Sequence, residues 1–290
     1  MYANVLIATD GSPGTERAVG HGLAFADAFD ADVHALYVVD TRENGRLPDD
    51  LAEEVVTAAE KHGRGATATV EEQAADLGLS VTRAIREGVP SEVVVEYARE
   101  HDVDLVVLGS HGDRIPAHPW LGSTTANVLR TADVPVLSAR VDGNVDPTAG
   151  VTLYDDVLVP TDGSDESLVA VDHAIAVAER SGATLHAVYV VDESVYDLTD
   201  SPRSIKGPLT EAGERATDAV ADLAAEADVP VTTTVLTGAP SEELLDYAGG
   251  SDIDLITMGA HGESGAATAL LGSTTERVVR DAAQPVLTVR

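Results

Sequence analysis

Cysteine is absent from the 290 residues, which excludes disulfides and any cysteine-based nucleophile or metal centre. Aromatic residues make up only 3% of the chain against 44% hydrophobic residues. A core must therefore be built from Val, Leu, Ile and Ala, which suits buried parallel strands flanked by helices. Lysine is nearly missing: Lys61 and Lys206 are the only two among 18 basic residues, which stand against 50 acidic ones for a net charge of −32. Such a surface repels nucleic acid and anionic membranes, so neither is expected as a partner. No stretch reaches the ~18 apolar residues of a membrane span, and the start MYANVLIATDGS lacks the basic region and cleavage site of a leader; a cytoplasmic protein is expected. Also missing are the GxxxxGK[ST] loop of P-loop NTPases, a GxGxxG turn after the first strand, a GxSxG elbow and any basic patch with interleaved aromatics. The acids are scattered through periodic segments, which reads as a solvated surface. It fits an interior of molar salt, where a Debye length of about 3 Å screens self-repulsion.

What is present is a duplication. NVLIATDGS at Asn4–Ser12 returns as DVLVPTDGS at Asp156–Ser164, and HALYVVD at His34–Asp40 as HAVYVVD at His186–Asp192. GVPSEVVVEYA at Gly88–Ala98 returns as GAPSEELLDYA at Gly238–Ala248, and DLVVLGSHG at Asp104–Gly112 as DLITMGAHG at Asp254–Gly262. LGSTT at Leu121–Thr125 returns at Leu271–Thr275, and the closing DVPVLSAR as AQPVLTVR. Six matched blocks in one order establish two copies, placed at residues 1–142 and 153–290 with a linker at about 141–152.

Within a copy, short β-branched runs alternate with helical stretches and no hairpin signal intervenes. In the first copy strands are expected at Val5–Ala8, Val33–Val39, Val81–Ile85, Asp104–Leu108 and Val134–Ala139. Ser12 is expected to cap the first helix and Ser123 the last. The expected fold is α/β: two tandem flavodoxin-like, Rossmann-like domains, each a five-stranded parallel sheet in the order 3-2-1-4-5 with helices on both faces. Ligands of such sheets lie beyond the C-terminal strand ends, where strand order reverses.

The chemistry-bearing motif falls at that edge. Gly109-x-x-Gly112 is followed by nine residues and Gly122-Ser123; Gly259-x-x-Gly262 is followed by nine and Gly272-Ser273. Gly109 and Gly259 are expected to supply a positive φ and close backbone approach at the turn. Gly122-Ser123 and Gly272-Ser273 lie at a helix start, whose open N–H groups attract anions. Together they read as a phosphate cradle, although such glycines also serve plain tight turns. Asp10 and Asp162 follow the first strand, where a carboxylate either accepts from a ribose or base or simply closes a turn. Val38 and Val190, near the end of the second strand, offer main-chain groups to an adenine edge or belong to the core. His111 and His261 sit between the glycines as phosphate donors or as polar loop residues. Thr124 and Thr274 either meet phosphate or cap. No histidine spacing suits a protein-only metal site; a divalent cation such as Mg2+ would ride on nucleotide phosphates.

These residues resemble the universal stress protein family in tandem form. The G-x-x-G-x9-G-[ST] motif marks its nucleotide-binding branch, and Asp10, Asp162, Val38, Val190 and the turns Gly88–Glu92 and Gly238–Glu242 match the rest of its pattern. The resemblance implies ATP or AMP as ligand and a regulatory stress-response role with slow or no hydrolysis. It also implies pairing of the two fifth strands within one chain, with a further homodimer open. Together with the acidic surface it suggests a halophilic archaeal source. The alternative is a slow ATPase or nucleotide-transfer enzyme using the same pockets. The nine-residue loop of copy one holds Pro116, Pro119 and Trp120, so copy two is expected to be the better phosphate binder.

Overall fold

The computed structural model describes residues 1–42, 48–110, 121–140, 154–192, 206–261 and 271–290. The chain divides into two compact units, Met1–Thr152 and Leu153–Arg290. The expected linker falls outside the described residues.

In the first unit the apolar runs become strands β1 (Asn4–Ala8), β4 (Leu105–Gly109) and β5 (Val136–Ala139). Val5, Leu6, Ile7, Leu105, Val106 and Val107 are fully buried, as expected of strands covered on both faces. β2 (Asp32–Asp40) and β3 (Val81–Gly88) complete the sheet, whose strands are all parallel and lie in the order β3-β2-β1-β4-β5. Helices α1 (Pro13–Phe29) and α2 (Asp49–Asp76) form the crossovers that step from β1 outward to β3. Helices α3 (Pro90–Glu100) and α4 (Ser123–Thr131) serve the steps in the opposite direction and pack on each other. Right-handed crossovers in opposite directions put the two pairs on opposite faces.

The second unit repeats this with β6 (Asp156–Pro160), α5 (Asp165–Ser181), β7 (Thr184–Asp192), α6 (Lys206–Glu226) and β8 (Val231–Gly238), then α7 (Pro240–Gly250), β9 (Leu255–Gly259), α8 (Ser273–Asp281) and β10 (Val286–Val289). Its parallel order is β8-β7-β6-β9-β10. Both units anchor the first strand in one way. Asp104 Oδ2 accepts from the N–H groups of Ala3 and Asn4 at 2.7 and 2.9 Å, and Asp254 Oδ2 from those of Asp155 and Asp156 at 2.9 and 3.1 Å.

Two differences from the sequence reading bear on the site. β3 runs three residues past the expected end at Ile85, since main-chain pairing with β2 continues to Gly88 through the polar Arg86 and Glu87. Gly109 and Gly259 are the last strand residues and do not lie in the turn.

Candidate functional site

The end of β1 leads into a tight turn built by Asp10. Its Oδ1 accepts from Ser12 N at 2.9 Å and from Ser12 Oγ at 2.5 Å. Asp162 Oδ1 does the same for Ser164 N at 3.0 Å and Ser164 Oγ at 2.5 Å. The intervening Gly11 and Gly163 have φ of +74° and +80°, a conformation that favours glycine. The two aspartates lie two residues beyond the strand end, and one carboxylate oxygen of each is committed to its own turn. Their turn-closing role is thus realised. Ser12, expected to cap α1, donates its hydroxyl to Asp10 and makes no side-chain cap; Ser164 donates to Asp162 and also accepts from Ser167 N at 3.1 Å.

Opposite this turn, β4 is stapled to the start of α4. Ser110 donates its N–H to Ala139 O (2.8 Å), Gly122 donates its N–H to Ser110 O (2.9 Å), and Thr125 Oγ1 donates to Gly109 O (2.7 Å). In the second unit Ala260, Gly272 and Thr275 make the same bonds at 2.6, 2.8 and 2.8 Å. The helix N-caps are Gly122 and Gly272, so Ser123 and Ser273 are the first helical residues and not the caps expected of them. Because glycine has no side chain, Gly122 and Gly272 give the first N–H groups of α4 and α8 no side-chain cap, and among the described residues none replaces it. Thr124 and Thr274 stand half-buried beside them.

The positive φ expected at the strand-end glycines is not found; both keep strand geometry. The need at Gly259 is space: an added Cβ would stand 2.9 Å from His261 O. At Gly272 it would stand 3.2 Å from Ala260 O. His261 is half-buried, and its main chain forms this constriction. His111, Gly112, Gly262, Pro116, Pro119 and Trp120 lie outside the described residues.

The second strand supplies main-chain groups. Leu36 O accepts from Thr9 N at 3.0 Å, while Thr41 N donates to Gly88 O at 3.3 Å, so even positions of β2 address β1 and odd ones β3. β1 ends at Ala8, so the N–H and C=O of Val38 point past its end into the crevice. Val188 O, accepting from Thr161 N at 2.9 Å, sets the same phase for Val190. Nearby, burial raises the Tyr37 phenol pKa and the Asp10 charge adds to it. A side-chain hydrogen bond from Arg42 holds the Asp40 carboxyl below its ordinary value.

Each unit thus closes a strand-end crevice with an Asx turn, an uncapped helix start and open main-chain groups of the neighbouring strand. The family model of universal stress proteins matches residues 1–140 and again 153–290. The chain belongs to the universal stress protein family. A universal stress protein of Methanocaldococcus jannaschii is 40% identical over 144 residues, covering 49% of this chain and 85% of the relative. One of Mycolicibacterium smegmatis is 28% identical over 300 residues, covering 99% and 96%. A solved universal stress protein of Archaeoglobus fulgidus aligns with a TM-score of 0.73 at 21% identity, covering 99% of this chain and 98% of that one, and bears out a tandem α/β fold.

Sequence reasoning missed three parts of this universal stress protein site. Thr125 and Thr275 were passed over beside Thr124 and Thr274, although the repeated Ser-Thr-Thr left all three open. Gly11 and Gly163 were legible from the Asp-Gly-Ser turn signal. His62, whose Nε2 lies 2.9 Å from Asp10 O, stands 52 residues away and left no local signal.

Proposed function

We propose that each unit binds one adenine nucleotide, ATP or AMP, and that the chain is a nucleotide-responsive regulatory protein of the stress response. The observation that carries this reading is the uncapped start of α4 and α8, held by matching bonds at the edge of both sheets. Phosphate oxygens would accept from the N–H groups of Ser123–Thr125 and Ser273–Thr275, with the hydroxyls of Ser123, Thr124, Ser273 and Thr274 alongside. The N–H and C=O of Val38 and Val190 would pair with adenine N1 and its amino group, and Asp10 and Asp162 Oδ2 would accept from ribose. A divalent cation would arrive on the phosphates, since among the described residues no cluster of three or more His, Asp or Glu is placed to hold one.

The first turn of α8 carries Glu276, whereas that of α4 carries no acid. A carboxylate there competes with phosphate for the dipole's positive end, which offsets the advantage expected for copy two. Isothermal titration of the whole chain in molar KCl with ATP, AMP and GTP tests the reading. Two binding events for adenine nucleotides and weaker binding of GTP are expected; no heat from any of the three would overturn it.

A further inference from the structure

A cavity of the first unit runs from the Asp10–Ser12 turn along the seam between α1 and α2. It has a volume of about 560 Å³, within the range of small-molecule sites. It starts at Gly11 and Ser12, runs between Thr15, Glu16 and Val19 of α1 and the facing side of α2, and ends near Gln73. Buried Val19 and Val70 form its apolar part. Lys61 and His62 stand at its mouth. His62 is held there by Asp10 O and by an edge contact with the Tyr37 ring, 5.7 Å between centroids. Lys61 is one of two lysines in a chain of net charge −32, and among the described residues no carboxylate pairs with it.

The second unit acts as an internal control. Gly63 and Gly213 both admit a tyrosine ring of the second strand, and Thr67 and Thr217 bond back to them at 2.9 and 3.1 Å, which fixes the alignment of α2 with α6. Along that alignment Gly65 becomes Arg215 and Gln73 becomes Leu223, and in α5, aligned with α1 through Ser12 and Ser164, Leu168 stands in place of Glu16. Lys61 becomes Glu211 and His62 becomes Ala212. α5 packs against α6, with Leu168 and Leu223 half-buried. An added Cβ at Gly65 would meet nothing within 4 Å. The same backbone is filled by larger side chains in one unit and open in the other, with Lys61 at the mouth where the second unit has Glu211 and with Glu16 on the facing helix.

We infer that the α1–α2 cavity of the first unit is a binding site for an amphiphilic organic monoanion, a carboxylate on an apolar body the size of a medium-chain acid. The head would meet Lys61 and His62 at the mouth, where the backbone turn of Asp10–Ser12 supplies further polar edges. The body would lie over Val19 and Val70, which are already buried, and cover the more open Ala58, Ala66 and Thr69 of α2, removing their apolar surface from water. The rest of the acidic surface repels such anions, so the site is selective by contrast as well as by contact. The inference does not rest on the nucleotide reading, although the two sites share the Asp10–Ser12 turn and His62.

The test uses the full chain in molar KCl with saturating ATP, so that the crevice is either filled or shown not to bind. 8-Anilinonaphthalene-1-sulfonate serves as fluorescent probe, with displacement by decanoate and by decanol. Decanoate should displace the dye well and decanol poorly. Gly65→Leu, which fills open space in a helix, and Gln73→Leu, which installs the residue of the second unit, should each weaken decanoate at least about tenfold. Lys61→Gln should weaken it roughly two- to fivefold, the range for a partly exposed charge pair. Circular dichroism and the ATP titration should be unchanged in all three variants. Wild-type decanoate affinity in both filling variants, equal displacement by decanol, or no dye binding would each overturn the assignment.

Discussion

Thr125 and Thr275 are buried hydroxyls that each tie a helix start to the carbonyl of a strand-end glycine. Thr275→Val keeps the shape but leaves the Gly259 carbonyl unpaired, so a loss of roughly 1–3 kcal/mol in urea unfolding at constant salt is expected. Weaker ATP binding should accompany it. Gly259→Ala acts through space: its Cβ must displace the His261 carbonyl, and one of the two nucleotide-binding events should vanish from the titration while the other persists. Deep in α1, burial depresses the pKa of His21 to about 4, with Arg17 adding to the effect. Its charged form is disfavoured in the fold relative to the unfolded chain, whose histidine titrates near 6.5. Stability is therefore flat in this term above pH 6.5 and falls as pH drops toward 4, by about 3 kcal/mol in all. His21→Asn should flatten that acid slope in urea titrations; an unchanged slope would assign the loss to other groups. None of these three roles is visible locally. A threonine, a glycine and a histidine in amphipathic segments look alike until distant residues are brought against them.

At the scale of elements, the buried strands were legible because runs such as Val-Leu-Ile and Leu-Val-Val have no solvated face to alternate with. β3 was cut short because its outer residues are polar, as an edge position of the unit's sheet allows; pairing with β2 decided its length. α2 crosses Gly63 and Gly65, which weaken a helix by about 1 kcal/mol each relative to alanine. Packing overrides that propensity at Gly63, where the Tyr37 ring takes the place of a side chain. Caps divided in an instructive way. Ser12 and Ser164 occupy one position, yet only Ser164 accepts from the helix, because Ser167 N lies in reach. Ser164→Ala should cost about 1 kcal/mol, within the range for lost N-caps. Ser12→Ala should act only through its bond to Asp10, and the pair of unfolding curves distinguishes the two.

For the whole molecule, charge and duplication set the behaviour. With 50 acidic residues against 18 basic ones, screening by salt is expected to be a condition of compactness. Withdrawing KCl from molar to millimolar levels should unfold the chain in circular dichroism, and indifference to salt would contradict that. The two units share a backbone plan but differ at Glu276, at Lys61 and His62, and along the α1–α2 seam, so under the proposed function unequal ligand responses are expected of them. By itself the sequence determined the repeat, the order of elements and the edge at which the glycine motifs fall, because periodicity and turn chemistry act over a few residues. The tertiary structure alone decided which glycine heads the last helix, which main-chain groups of β2 pass the end of β1, and which helix seam stays open. Those outcomes depend on residues 16 to 52 positions apart meeting at about 3 Å, a proximity that no local pattern records.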